Sequence, residues 1–379
     1  MRQVLFYIPL PFGDYKMPIF GFGIMMIIAF MVSAWVAGRR AKREGYLSSI
    51  PWDVSLYIFI AGVCGARLLS MFVDQKPPAN FAQGFFQFFK IWEGGLVLYG
   101  AIPGGLLGYW LAYRAVAKPN KVRTLQIADW LAPSFALGIA FGRIGCFLNG
   151  CCYGDVADPA LVPSAMTVQF PANSNPYQEV VWLRGWQTTY GMQLGSTMID
   201  DCKVKAVDAG SSAEKAGLQK DDVIQSVDGV ATLTRDALIK ALVAVKPYQE
   251  LTMTVKHNGE GEAKTLTFVP PPTLPLLPTQ LYMALDGAIL CLLLWTYYPL
   301  RRREGAVIAL LMMTYAINRY LIEMLRLDNP EYVGGFTISQ AISLALFSAG
   351  LVMMILVQWK GRPVNAGQAA AVPSVGTAH

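Results

Sequence analysis

Seven stretches of about 20 apolar residues divide this chain, and a stretch of that length is what crosses the hydrocarbon of a bilayer. They run near 18–37, 54–73, 94–115, 128–148, 279–299, 305–325 and 337–358. Only 15% of the 379 residues are charged, against roughly 25% in soluble domains, so a bilayer is the solvent for part of the fold. The third stretch carries Pro103 and several glycines, which predicts a kink and close helix packing. The first follows Pro, Gly and Asp rather than a basic segment, and no small-residue cleavage site comes after it. It is therefore expected to stay in the protein as a helix.

Basic residues sort the ends of these stretches. Arg39, Arg40, Lys42 and Arg43 follow the first, and Arg114, Lys118, Lys121 and Arg123 lie between the third and fourth. Arg301, Arg302 and Arg303 follow the fifth, and Lys360 and Arg362 follow the seventh. Lys and Arg collect in short cytoplasmic loops. All four groups fall on that side only if the N-terminus is outside and the C-terminus inside. The 74–93, 150–277 and 327–336 loops then face outward. The expected fold class is an α-helical membrane protein with seven transmembrane helices, in a bacterial inner membrane and surrounded by membrane lipids. A net formal charge of +6 is modest, and no nucleic-acid partner is expected. Residues 81–92 (FAQGFFQFFKIW) are aromatic and too short to span. An interfacial or re-entrant helix and a loop resting on the membrane are both open there. After Arg362 the chain is rich in Ala, Gly, Pro and Val and is expected to be disordered.

The long outer loop changes composition near Gly185 and again near Pro270. Val204–Val207 and Leu251–Val255 alternate as strands do, and Thr234–Val245 reads as an amphipathic helix capped by Thr234. Ala209–Gly229 reads as turn, short helix, tight turn, strand and hairpin turn. Within it, Ser-Ala-Glu-Lys-Ala-Gly-Leu and Asp-Asp-Val-Ile resemble a PDZ domain of the bacterial protease type. On that resemblance Tyr190, Gly191, Met192, Gln193, Leu194 and Gly195 stand at the carboxylate-binding loop. The insert would then take an extended peptide or C-terminus as an added strand. A domain that only shields or spaces is the other reading. The expected division is membrane domain 1–184, PDZ-like domain 185–270 between spans four and five, membrane domain 271–362 and a tail 363–379.

Charged residues at membrane depth cost at least about 2.5–3.5 kcal/mol each and mark function. Here they gather toward the outer ends of the spans: Arg67 in span two, Arg143 in span four, and Arg319, Glu323 and Arg326 in span six. Arg319 and Glu323 are spaced to share one helical face, and Arg326 is expected to extend it. In one reading Glu323 simply neutralises Arg319 and holds helices together. In the other, the arginines exceed Glu323, Glu93 and Asp129 and await an anion such as a lipid phosphate, which Arg binds in bidentate fashion.

The run Gly138–Gly154 (GIAFGRIGCFLNGCCYG), after Ala128-Asp129-Trp130-Leu131-Ala132-Pro133, resembles the signature of the prolipoprotein diacylglyceryl transferase family. That signature reads Gly-Arg-x-Gly-Asn-Phe-x-Asn-x-Glu, then Gly three residues later. Trp92-Glu93-Gly94-Gly95, Gly65-Ala66-Arg67-Leu68, Phe170-Pro171, Pro278-Thr279-Gln280-Leu281-Tyr282 and Arg319 with Glu323 and Arg326 also resemble family segments, so the likeness covers all the spans. It implies that a lipobox cysteine thiol in a prolipoprotein signal peptide attacks the glyceryl carbon of phosphatidylglycerol. A thioether forms and glycerol phosphate leaves, with no metal and no dissociable cofactor. It also implies roles: Arg143 and Arg319 on the phosphate, Glu323 orienting Arg319, Arg67 and Arg326 as further lipid-binding cations. Asn149, Gln280 and Tyr282 would hydrogen-bond the head group or glycerol, and Gly154 would form a tight turn at the mouth.

The departures carry chemistry. The signature's Asn is Cys146 here, its Glu is Cys151, and Cys152 follows. The span-three His is Tyr99, and the Tyr near the start of span one is Phe22. The histidines His257 and His379 lie in the insert and at the terminus, so no His within a span acts as base. Tyr99, with an ordinary pKa of about 10, is a poor base unless arginines lower it; it is otherwise a hydrogen-bond donor. Of six cysteines, Cys64 and Cys291 read as small core residues, Cys202 lies in the insert, and none has the paired spacing of a zinc site. The cluster Cys146, Cys151 and Cys152 leaves three readings: small residues filling a tight helix end, a disulfide, or a nucleophile whose thiolate beside Arg143 has a depressed pKa. Function is expected to be that transfer, with the PDZ-like domain recruiting substrate. The alternatives are a divergent paralogue with another acceptor, and a non-catalytic lipid-binding scaffold.

Overall fold

A computed structural model describes residues 4–9, 16–73, 88, 97–195, 202–245, 248–257, 262–326, 331–333 and 335–364. The 81–92 segment, apart from Phe88, lies outside them, as do Trp92, Glu93 and the tail from 365. The chain forms two compact units, one of residues 4–145, 281–324 and 329–379, the other of residues 1–3, 146–280 and 325–328.

The first unit is helical. A hairpin of β1 (Val4–Pro9) and β2 (Lys16–Phe20) leads into α1 (Gly21–Arg43), α2 (Ser49–Val73), α3 (Leu98–Ala112) and α4 (Thr124–Asn149). The hairpin was not anticipated in the sequence. Among the described residues six helices are long and apolar enough to cross a membrane: α1, α2, α4, and three whose helical cores are α6 (Thr279–Tyr297), α7 (Ala306–Glu323) and α8 (Ile338–Lys360). The protein is a multi-pass membrane protein. The third expected stretch is α3, 15 residues with Pro103 inside, extended by a wide π turn over Tyr113–Ala117.

Glycines let α2 and α3 touch at the backbone. A Cβ at Gly100 would lie 2.3 Å from the Gly65 carbonyl oxygen, and one at Gly104 would lie 2.4 Å from that of Ala61. Small residues four apart allow this approach where apolar burial gives little drive between helices. Cys64, expected in the core, is exposed, whereas Cys291 is buried.

One end of this unit is tied by charge. Asp129 on α4 accepts the backbone N–H groups of Gly305, Val307 and Ile308 at 2.8, 3.0 and 3.1 Å, capping the start of α7. Arg301 bridges Asp129, at 3.3 Å, and Glu44. Trp130 and Tyr298 each donate to Glu44 at 2.8 Å. Arg40 lies over the Trp295 ring at 3.5 Å. Asp129 is therefore not a counter-charge for the arginines at the other ends of the helices: its oxygens are spent on α7 and Arg301. The basic junctions 40–44, 123–129 and 301–304 meet here, with Arg123 on Glu304 at 3.2 Å. Pro363 and Val364, expected to begin a disordered tail, pair with Arg303 and Arg302.

The second unit is α+β. Strands β3 (Met192–Leu194) and β4 (Val204–Val207) form an antiparallel pair. Strands β5 (Asp222–Val227), β6 (Val230–Ala231), β7 (Leu251–His257) and β8 (Lys264–Phe268) form a sheet in the order β6-β5-β7-β8. Asp228 and Gly229, with φ of 48° and 79°, make the tight turn between β5 and β6. Thr234 caps α5 (Arg235–Ala244), accepting the Ala237 N–H at 3.3 Å. Leu218, Ile224, Leu238, Leu242, Leu251 and Met253 fill the core. That core also takes Ala172, Tyr177 and Val181, ahead of residue 185.

Candidate active site

In the helical unit, Arg319 and Glu323 lie one turn apart on α7, with Arg319 Nη1 at 2.5 Å from Glu323 Oε2. Nη2 of Arg319 donates to Ser339 Oγ at 2.8 Å, and Thr337 Oγ1 donates to Glu323 Oε1 at 3.2 Å. The Glu323 side chain is fully buried, while Arg319 keeps 14% of its surface. The carboxylate thus stands behind the guanidinium and fixes its direction. Next to Arg319, Asn318 donates to Asp286 on α6. The sequence reading passed over Asp286, although a lone Asp in the apolar 279–299 run carried the signal.

Arg143 is half-buried on α4 and forms no ion pair among the described residues. Arg67 is buried, and its Nε–H donates to the Phe88 carbonyl at 3.3 Å. Tyr99 stands exposed in the first turn of α3, with no hydrogen-bond partner among the described residues. Tyr282 is half-buried on α6.

Two expectations are corrected. Arg326 does not extend the Arg319–Glu323 face. The α7 helix ends at Glu323, the Leu325 carbonyl accepts the Asp155 N–H at 3.2 Å, and Arg326 pairs with Gly154 in an antiparallel bridge. Gly154 is not a turn residue either. Its N–H donates to Leu277 O at 2.8 Å, and a Cβ there would lie 2.7 Å from the Leu325 carbonyl oxygen. Glycine is needed for close approach.

The cysteines meet through a helix end. Gly150, at φ 72°, follows the last helical residue Asn149; its N–H reaches Phe147 O at 3.2 Å, and the Cys151 N–H reaches Cys146 O at 3.1 Å. This is the Schellman arrangement, which sets the third residue from the helix end against the second residue past it. Those two residues are Cys146 and Cys151. Cys152, at φ 61°, turns its own thiol back, and the three sulfurs lie within 4.8 Å of one another. Behind them Gln280 Nε2 donates to Cys151 O and Thr279 Oγ1 to Cys152 O, both at 2.8 Å. Gln280 is fully buried and its Oε1 has no partner among the described residues. The Cys146 sulfur lowers the Cys151 pKa, but Cys152 beside it and burial outweigh that, so the Cys151 thiol sits above its ordinary value.

In the α+β unit a groove of about 400 Å³ runs between β3 and α5, lined by Trp182, Thr188, Met192, Gln193, Leu194 and Ile239 among others. Tyr190, expected at this loop, is turned into the core, where its hydroxyl donates to Leu242 O at 2.7 Å. Gly191 O and Gly195 N–H are spent on pairing, with Asp208 N at 2.8 Å and Lys203 O at 2.9 Å.

A family model described as prolipoprotein diacylglyceryl transferase matches residues 10–356. The chain belongs to that family. It is a transferase, which sets aside the non-catalytic reading. A Rhodopirellula baltica protein named phosphatidylglycerol–prolipoprotein diacylglyceryl transferase is 25% identical over 376 residues, covering 90% of this chain and 72% of that relative. A Burkholderia orbicola protein of the same name is 27% identical over 360 residues, covering 92% and 93%. One from Clostridium tetani reaches 33% over 146 residues, 38% of this chain and 55% of the relative. Family membership thus extends over the helices that carry Arg143 and Arg319.

Proposed function

We propose that this chain transfers a diacylglyceryl group from phosphatidylglycerol to the lipobox cysteine thiol of prolipoproteins. It does so with seven spans in a bacterial inner membrane, N-terminus outside and C-terminus cytoplasmic. The meeting of the 40–44, 123–129 and 301–304 junctions at one end of the helical unit supports that topology. The thiol sulfur attacks the glyceryl carbon, the carbon–oxygen bond to phosphate breaks, and glycerol phosphate leaves with the electron pair. The observation that carries the reading is Arg319 held in one direction by the buried Glu323 and by Ser339. A guanidinium so fixed stabilises charge on the departing phosphate without reorganising, and such groups are worth about 10²–10³ in rate. Arg143 supplies a second cation, Arg67 and Tyr282 contact the lipid and glycerol, and Tyr99 donates a hydrogen bond to substrate.

The insert acts as a PDZ-like periplasmic domain that recruits precursor. The β3–α5 groove supports this, since a strand edge beside a helix is what an extended peptide adds to. A second reading keeps the lipid donor and changes the acceptor; it draws on Cys146 and Cys151 standing where the family signature has Asn and Glu.

An assay with purified full-length protein, phosphatidylglycerol and either a short lipobox peptide or an intact precursor tests both parts. Thioether and glycerol phosphate are read by mass spectrometry. Arg143→Ala and Arg319→Ala are expected to lose about 10²-fold or more in kcat/KM with either acceptor. Ile239→Asp is expected to slow only the intact precursor. No product from wild type, under conditions where a relative with the intact signature is active, would sink the prolipoprotein reading.

A further inference from the structure

The geometry points to a zinc centre: Cys146, Cys151 and Cys152 are three thiolate ligands of one Zn²⁺, with the fourth position open to the acceptor thiol. The part concerning the acceptor rests on the function proposed above; the metal site stands on its own geometry.

Three sulfurs within 4.8 Å of one another match what a single ion requires. Zinc–sulfur bonds of about 2.3 Å at tetrahedral angles put sulfurs about 3.8 Å apart. Three soft sulfur ligands select Zn²⁺ over hard cations such as Mg²⁺ and Ca²⁺. The ligand spacing, Cys-x4-Cys-Cys, differs from the paired motif of structural zinc sites, and its logic is local. The Schellman end of α4 delivers Cys146 and Cys151 together, and Cys152 adds its sulfur only by adopting a left-handed φ of 61°. A non-glycine residue held in that region marks a constrained site when its surroundings fix it. The surroundings here are Gln280 on the Cys151 carbonyl and Thr279 on the Cys152 carbonyl. These second contacts fix the loop, as outer contacts do around metal ligands. All three cysteines are partly exposed, so the cluster is not closed over as a structural site would be.

Three protein ligands with one open position is the composition of a catalytic zinc site. A thiol that coordinates zinc is deprotonated outright. That supplies thiol deprotonation in a chain whose signature Asn and Glu are replaced by Cys146 and Cys151 and whose spans hold no histidine. The acceptor R–SH binds zinc and loses its proton to water. The sulfur lone pair then forms the bond to the glyceryl carbon as the carbon–oxygen bond to phosphate breaks, and the neutral thioether leaves the metal. No redox partner is required.

The test is zinc content and zinc-edge X-ray absorption on the full-length protein purified in detergent without chelator. About one zinc per chain is expected, with three sulfurs at about 2.3 Å and one lighter ligand. Adding a lipobox peptide should raise the shell to four sulfurs, and the same peptide with serine for cysteine should not. Cys151→Ser and Cys152→Ser should each lower zinc occupancy at least tenfold after dialysis. If those variants misfold, the wild-type absorption spectrum decides alone. Zinc below 0.1 per chain, or mass mapping that finds a disulfide within the cluster, overturns the site. A three-sulfur shell unchanged by the cysteine peptide overturns the acceptor role, as does transfer at an undiminished rate in protein verified to be zinc-free. Absence of transfer with the zinc shell intact would instead count against the prolipoprotein reading, so the two failures separate.

Discussion

At the scale of single residues, function rests on which polar atoms are committed. Glu323 pairs with Arg319 one turn back on α7 and accepts from Thr337. Gln280 donates an amide N–H to the Cys151 carbonyl, and its Oε1 has no partner among the described residues. Gly154 shows the same economy in space. Gly154→Ala sets a methyl 2.7 Å from a backbone carbonyl that cannot swing away. The expected cost is about 1–3 kcal/mol, read as a lower unfolding temperature in detergent. The glycine was legible in the signature, but its reason was not, because a close neighbour 171 positions away leaves no local trace.

At the scale of elements, α2 and α3 approach to backbone contact. Gly100, Gly104 and Gly108 recur every four residues along α3, and the Gly65, Ala61 and Tyr57 carbonyls fill the space a side chain would need. Gly104→Leu is expected to force the pair apart and lower folded yield in detergent, while Gly105→Ala, whose Cβ would meet only the Ile58 side chain at 3.7 Å, should be tolerated. Size-exclusion traces of the two variants check this. Equal, sharp monodisperse peaks would refute the seam. The ending of α7 is an element-scale decision that periodicity missed. Spacing alone carries the helix on to Arg326, but competition from the 154–155 segment for the backbone at 325–326 stops it at Glu323.

Across the whole helical unit, one charged knot gathers the chain's scattered basic junctions. Burial pushes the Glu44 carboxyl up, but Arg301, Trp130 and Tyr298 together outweigh it and hold its pKa below the ordinary value. A carboxyl depressed on folding adds stability above its unfolded pKa, about 4.3, and loses it as pH falls through the folded value. Stability should therefore decline below about pH 4.3 in wild type. Glu44→Gln should be less stable at neutral pH and decline less steeply. Unfolding temperatures across pH 3–8 would show it, and parallel curves for the two proteins would refute it. Glu44 was invisible as a keystone from sequence, because its partners Trp130, Tyr298 and Arg301 are far along the chain.

The bilayer as solvent, the strands and helix of the α+β unit, and the family are legible in the sequence, because each is written in local composition, period or motif. Hydrophobic length decides what enters a bilayer, and Asp-Gly or a capping Thr decides a turn or a helix start. The partners came from the fold. It assigned Asp129 to the start of α7 rather than to the arginines at the other ends of the helices. It turned Tyr190 into the core and placed Arg326 in a bridge. It also gathered three cysteines around one helix end. Charges and thiols act over a few ångströms in space, and that distance is set by how helices and loops meet, which spacing along the chain does not encode.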